Sequence, residues 1–384
     1  MYEILSDVRV LDLSRYISGP SCCRILADMG AEVIKVEKTG HGDEGRHCGP
    51  FLNGSSLYFS AYNRNKKSVA VDFRSEKGKE VLRRLIEKSD IIVENFKAGT
   101  MAAMGFSYEE IAKINPRAIL ASITGFGQFG PDAKRPAYDQ IVSLRAHLYA
   151  NGEREGEFHI GPDLMSDTIM GINAAVAILT ALYDRMKTGK GQWLDCCMLT
   201  SSVGSWPLAM ADYAAYGERE KYLIDAPNGI FKTKDGYMQL TCGPQPMFMR
   251  FREVLDDPII RDEKYIDVNE RIKDKDLLIE RIAEWMAART CQEVDELMAE
   301  HSVTCGKICT WGDVLSDRQL AYREDIIQLP VKNCGTIPYA KFPAHFSGHE
   351  YITDTPVPEL GEDNLTIFTE LLEMSMEEAE AYMK

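Results

Sequence analysis

The sequence predicts an α/β fold: a large domain built on a parallel sheet with helices on its faces, followed by a smaller α+β domain. Three observations carry this. Strand-like apolar runs alternate with helical stretches through the first half, the pattern of a parallel sheet. From about residue 227 the pattern changes to a hairpin and then charge-rich helices. The chain also has 384 residues, too many for one ordinary core.

Residues 8–13 read as a strand, 20–30 as a helix closed by Gly30, and 31–37 as the next strand. A strand at 68–73 leads to a helix at about 75–89, where Val81, Leu82, Leu85 and Ile86 make an apolar stripe at helical spacing. Residues 90–96 form another strand. Ser107-Tyr-Glu-Glu110 is a capping box opening a short helix that stops before Pro116, and 118–124 is one more strand. The run 169–183 is uncharged and rich in Ala. It reads as a buried helix, because it falls short of the roughly 17–25 residues a bilayer requires and charges flank it. Gly189-Lys-Gly191 turns into a strand at 192–198. Ile230 to Leu240 is a hairpin around Lys234-Asp-Gly236, and helices follow at 273–288 and 291–300. The tail holds Pro358-Glu-Leu-Gly361 and a final acidic helix. The expected domains are 1–200, completed by 330–384, and 225–329, joined by a linker helix at 201–224.

Net charge is −15, so the basic footprint of a nucleic-acid-binding protein is missing. The ten cysteines include two adjacent pairs and no C-x-x-C, which fits neither a disulfide framework nor a zinc site. They read as reduced thiols of a cytoplasmic protein, and the first residues carry no secretory signal. No metal site is expected.

Asp167 stands in Gly161-Pro-Asp-Leu-Met-Ser-Asp-Thr-Ile-Met-Gly171, where a loop gives way to the apolar helix. Unpaired N–H groups and the helix dipole favour a carboxylate there. By residue type alone it is a cap, yet it is also a potential nucleophile toward an activated acyl group. Gly125-Phe-Gly-Gln-Phe-Gly130 matches a dinucleotide fingerprint, but Pro131 and Pro136 follow where that motif needs a helix. It reads as a Gly-rich loop that could still approach a ligand closely. No G-x-S-x-G elbow or H-E-x-x-H motif occurs. Arg46 lies past the strand at 31–37, and Lys97 follows Glu94-Asn-Phe96. Ligands of open α/β sheets bind beyond strand carboxyl ends. These cations, with the cluster Arg64, Lys66 and Lys67, suit a ligand bearing several phosphates.

These residues resemble the family III CoA-transferases, the group that includes the formyl-CoA:oxalate and carnitine enzymes. The resemblance runs over nearly the whole chain. It is carried by Val10-Leu-Asp-Leu-Ser14 with Gly19-Pro20, Ala31 to Glu37 with Gly42-Asp43 and Arg46, and Asn65-Lys-Lys-Ser68 with Asp72. Glu94-Asn-Phe96, Gly130-Pro131, Tyr138-Asp139, Asp167, Thr188-Gly-Lys-Gly-Gln192 and Pro358-Glu-Leu-Gly361 complete it.

The resemblance implies a Rossmann-like large domain with a small domain, an interlocked homodimer, and CoA esters and carboxylic acids as substrates. No tightly bound cofactor is implied, coenzyme A entering as a co-substrate. Asp167 would be the catalytic residue. Contacts to CoA would fall on Val36, Lys38, Arg46, Lys67, Asn95, Phe96, Lys97 and Arg117. Tyr138 and Asp139 would line the site. Gly243 lies where some relatives carry a glycine-rich lid, but Pro244 follows it here. Ile17 replaces the glutamine of the formyl-CoA enzymes. Within the same fold, a 2-methylacyl-CoA racemase is the alternative. It uses a His before an Asp, where this chain has Tyr138-Asp139, and a tyrosine is a poor base near neutrality. A CoA-ester-binding protein without turnover is the other alternative.

Overall fold

Six parallel strands build the central sheet: β1 (Arg9–Asp12), β2 (Glu32–Glu37), β3 (Lys66–Ala70), β4 (Ile91–Glu94), β5 (Ile119–Thr124) and β6 (Trp193–Cys197). Their spatial order is β3-β2-β1-β4-β5-β6, the doubly wound Rossmann order. The computed structural model describes residues 1–148, 153–154, 157–158, 164–217 and 226–383. These divide into two compact units, Met1–Met210 with Glu324–Lys384, and Ala211–Arg323.

The helices of the first unit are α1 (Ser18–Asp28), α2 (Leu57–Asn63), α3 (Glu76–Glu87), α4 (Thr100–Ala103), α5 (Tyr108–Ile114), α6 (Asp139–Arg145), α7 (Met165–Thr188) and α8 (Met198–Gly204). The next helix, α9 (Pro207–Tyr216), crosses the boundary between units. Strand residues such as Val10, Leu11, Ile34, Val69 and Ile92 are wholly buried because both faces of the sheet are covered. One face packs Val10, Val33 and Ile91 against Cys22 and Leu26 of α1 and Met170, Ala174 and Ile178 of α7. The other packs Leu11 and Ile34 against Val81 and Leu85 of α3, with Ile367 and Phe368 from the tail.

The tail motif has a structural reason. Gly361 N–H donates to Ser68 Oγ at 2.9 Å, and the Asp363 carboxylate accepts from Ser68 N–H at 2.8 Å. Asn364 Oδ1 accepts from Ala70 N–H at 2.7 Å. The segment thus satisfies β3, an edge strand that would otherwise present unpaired groups. Gly361 has φ +71, where L side chains are strained.

The basic cluster around residue 64 is engaged by carboxylates of the fold. The Lys66 ammonium is wholly buried and donates to Asp12 at 2.8 Å, Asn63 and the Pro20 carbonyl. Arg64 pairs with Asp28 at 2.8 Å, and Lys67 with Glu32 at 2.6 Å. Buried Lys35 pairs with Asp43 at 2.7 Å. Burial opposes ionisation of Asp12, but Lys35 and Lys66 outweigh it and hold its carboxyl at about 2. These charges solve a folding problem, since a buried ion without its partner is strongly destabilising.

The apolar run at 169–183 belongs to a longer helix, and only one side of it is buried. α7 has 24 residues and packs on α1 through Met170, Gly171, Ala174 and Ile178. Ile172, Val176 and Tyr183 are exposed. By length and composition alone it is the one helix among the described residues apolar enough to cross a bilayer.

In the first unit β10 (Ile326–Val331) and β11 (Gly335–Ala340) pair as a hairpin that the sequence reading missed, along with its prolines 330 and 338 inside the strands. The second unit holds an antiparallel sheet of β7 (Asn228–Lys232), β8 (Tyr237–Thr241) and β9 (Cys305–Lys307). Its core joins Phe231, Met238 and Leu240 to Phe248, Phe251 and Ile282 from flanking helices. All ten cysteines are free.

Candidate active site

The chain reverses its direction of winding between β1 and β4, which are neighbours in the sheet. A crevice opens there beyond the strand ends, the usual ligand position in such sheets. Arg15, Tyr16 and Ser18 follow β1, Asn95, Phe96 and Lys97 follow β4, and Thr124 and Gly125 end β5. With Arg135, Tyr138 and Asp167 they enclose a cavity of about 280 Å³. The Asn95 amide joins the first two loops, accepting from Arg15 N–H at 2.8 Å and donating to the Arg15 carbonyl at 2.7 Å. Tyr16 is held at φ +63, a conformation that only a well-determined loop sustains in a non-glycine residue. The Thr124 hydroxyl is buried with no hydrogen-bond partner among the described residues. A second, smaller cavity of about 110 Å³ shares Arg15 and Phe96 with the first and is lined further by Val36, Lys38, Asp72 and Arg74.

Asp167 lies in the first turn of α7, yet it does not cap that helix. At Gly171 a Cβ would meet Ser21 Cβ at 2.7 Å and the Ser18 carbonyl at 3.1 Å, so only glycine lets α7 approach α1 this closely. The approach brings the Asp167 carboxylate toward Ser18 at the start of α1, whose hydroxyl and backbone N–H favour its ionised form. The residue preceding α1, Ile17, offers no capping side chain to the first N–H groups of that helix. Burial pushes the Asp167 carboxyl up, the Asp139 charge pushes it further, and the neighbouring Ser18 donors offset part of this, leaving it at about 7. Near neutrality Asp167 is therefore half ionised and poorly compensated, the condition of a reactive carboxylate. Beside it, burial and then Tyr138 raise the Tyr16 hydroxyl to about 12, and the two rings meet edge to face at 6.1 Å. Among the described residues no His, Cys, Asp or Glu group could hold a metal ion.

The model of CoA-transferase family III matches residues 5–364. The chain belongs to this family. It is 34% identical over 382 residues to the mouse succinyl-CoA:glutarate CoA-transferase, covering 96% of this chain and 86% of the relative. It is 31% identical over 369 residues to the acetyl-CoA:oxalate CoA-transferase of Acetobacter aceti, with 93% of each covered. A CaiB/BaiF family crystal structure from Brucella suis superposes with a TM-score of 0.86 at 31% identity, covering 97% of this chain and all of that one. The protein is accordingly a transferase, with the mixed α/β fold of CoA-transferase family III.

Of the residues the family resemblance nominates, Asp167, Tyr138, Asn95, Phe96 and Lys97 line one cavity, and Val36 and Lys38 line the smaller cavity beside Arg15 and Phe96. Asp139 does not line it. It is buried behind Asp167, accepting from the Asp167 N–H at 2.9 Å. Ile17 is 1% exposed and belongs to the core, while its neighbours Tyr16 and Ser18 face the cavity. Arg46 makes a two-pronged ion pair with Glu37, at 2.7 Å on each prong, and lies over the Phe59 ring. It lines a different cavity, with Ser56, Lys332 and Glu359. Lys67 lies near the amino end of β3, about 10 Å of strand length from its carboxyl end, and Arg117 lies before the amino end of β5, about 20 Å of strand length from the Asp167 end. Gly243 belongs to the second unit, where its carbonyl accepts from buried Arg271 at 2.8 Å.

Arg15, Tyr16, Ser18, Arg74, Thr124 and Arg135 were missed. The signal for Arg15, Tyr16 and Ser18 was their place directly after the first strand, at the switch of winding. Thr124 and Gly125 border the Gly-rich loop set aside as a dinucleotide decoy, and that loop does reach the cavity.

Proposed function

We propose that the protein moves CoA from an acyl-CoA thioester to a free carboxylic acid through covalent intermediates on Asp167. An Asp167 oxygen attacks the thioester carbonyl, the C–S bond breaks, and a mixed anhydride forms as CoA leaves as its thiolate. The thiolate attacks the aspartyl carbonyl, the donor acid departs as a carboxylate, and an aspartyl-CoA thioester remains. The acceptor carboxylate then expels CoA to form a second anhydride. The returning thiolate takes the acceptor acyl group and restores Asp167. No step needs a base, which suits a cavity with no histidine among its described lining residues. The buried Thr124 hydroxyl is a donor available to a developing oxyanion.

The reading is carried by one observation: a carboxyl group held near neutrality at a switch-point cavity in a chain of this family. In the proposed complex the acyl end lies at Asp167, and CoA follows Asn95, Phe96 and Lys97 toward Lys38 and Arg74. The exposed side chains of Lys97 and Arg135 have no ion-pair partner among the described residues. They support small dicarboxylates as substrates, since one cation can hold the carboxylate that does not react. The two relatives above are named for glutarate and oxalate. We further propose that a second copy of the chain covers the exposed apolar residues of α7 and α9, interlocked with the first.

Asp167→Asn should abolish transfer from succinyl-CoA while the protein remains folded. Wild type incubated with the donor and hydroxylamine should yield a hydroxamate on the peptide containing residue 167. Full turnover by the variant, or product without label at that peptide, overturns the mechanism.

A further inference from the structure

We infer that Asp139 and three serine hydroxyls behind it form a buried positioning network that sets the backbone of the nucleophile Asp167. The inference rests on the proposed role of Asp167. The first N–H groups of a helix lack partners within it. In α7 the first helical bond from this region is Thr168 N–H to the Leu164 carbonyl at 3.0 Å, so the Asp167 N–H needs an outside acceptor. The residue preceding α7, Leu164, cannot supply one, and it is itself held at φ +70. Asp139, from α6, does so through Oδ2 at 2.9 Å.

The other Asp139 oxygen accepts from the Ser143 hydroxyl at 3.2 Å. Ser143 and Ser166 hydroxyls meet at 2.6 Å, and Ser202 of α8 donates to Ser166 at 2.9 Å. All three serines are wholly buried. Their protons can therefore all be directed toward the carboxylate: Ser202 to Ser166, Ser166 to Ser143, Ser143 to Asp139. A chain so aligned is reinforced along its length and has one low-energy arrangement. It ties α6, α7 and α8 together at the turn that carries the nucleophile. Such a turn tolerates little error, because small misplacements of reacting groups cost large factors in rate. Asp139 thus acts on the reaction through Asp167 without touching substrate.

The test compares Asp139→Ala, Asp139→Asn and Ser166→Ala. Ser166→Ala should lower kcat about tenfold, with KM for the acyl-CoA within about twofold. Asp139→Ala should lower kcat further. Asp139→Asn should recover much of that loss, since its amide oxygen still accepts from the Asp167 N–H. Hydrogen–deuterium exchange on the resting enzyme supplies a readout independent of turnover: the Asp167 amide should exchange faster in Asp139→Ala than in Asp139→Asn or wild type. Wild-type kcat in Ser166→Ala, or equal exchange in both Asp139 variants, overturns the inference. A large KM rise on Asp139→Asn also overturns it, by making Asp139 a substrate contact. If wild type forms no Asp167 adduct while the exchange pattern holds, the transferase mechanism fails and the network stands.

Discussion

At the scale of single residues, Asp167 illustrates a conflict between stability and reactivity. Its carboxyl rises from an ordinary 3.8 to about 7, chiefly through burial. A folded-state value above the unfolded one means that the native state prefers the protonated acid. The associated stability is present below pH 4 and is lost as pH climbs through 7. The shift corresponds to about 4 kcal/mol at most. Asp167→Asn should therefore raise the melting temperature at pH 8, and the gain should shrink to nothing near pH 4. Equal gains at both pH values would contradict this origin. The same shift governs activity. Only the carboxylate attacks, so kcat/KM should fall toward tenfold per unit as pH drops below about 7. A rate flat down to pH 5 would remove Asp167 as the titrating nucleophile.

At the scale of elements, the sheet and the helix stripes were legible because their signals are local. Val81, Leu82, Leu85 and Ile86 sit at helical spacing and are all buried as that spacing requires. The β10–β11 hairpin was not legible, since Pro330 and Pro338 argue against strands and the pairing only shows in three dimensions. The partners of the cations were hidden for a related reason. Arg46, Lys66 and Lys67 look free in sequence, and their carboxylate partners lie 9, 54 and 35 residues away. Charge alone does not tell an ion paired inside the fold from one awaiting a ligand. Gly171 shows a packing demand hidden in a helical run. Its substitution by Ala places Cβ within 2.7 Å of Ser21, which forces α7 away from α1 and shifts Asp167 from Ser18. Gly171→Ala should destabilise the fold by about 1–3 kcal/mol and lower kcat more than that loss explains. Chemical denaturation paired with kinetics at a temperature where both proteins are folded would check it. Wild-type stability and turnover would show that the helices do not depend on this contact.

At the scale of the whole molecule, the apolar surface is the outstanding feature. Ile172, Val176 and Tyr183 on α7, Trp206 just before α9, and Leu208 and Met210 in α9 are all exposed in the single chain. Exposed large apolar residues in such number mark a contact with another body. A second copy of the chain is the proposed partner, and interlocking makes a sharper demand than dimerisation. Two simply docked protomers exchange partners through free monomers, at a rate set by their dissociation. Two chains threaded through each other separate only if part of the fold opens, so exchange becomes as slow as unfolding. Two differently tagged preparations, mixed as folded proteins, should therefore yield no mixed dimer over many hours. Co-expression, or joint denaturation and refolding, should yield it readily. Introducing charge with Ile172→Glu and Leu208→Glu should reduce the yield of soluble dimer. Rapid appearance of mixed dimers would exclude interlocking but leave the dimer. A monomer in sedimentation at micromolar concentration, or a chain that partitions into phospholipid vesicles through α7, would reassign the apolar face altogether.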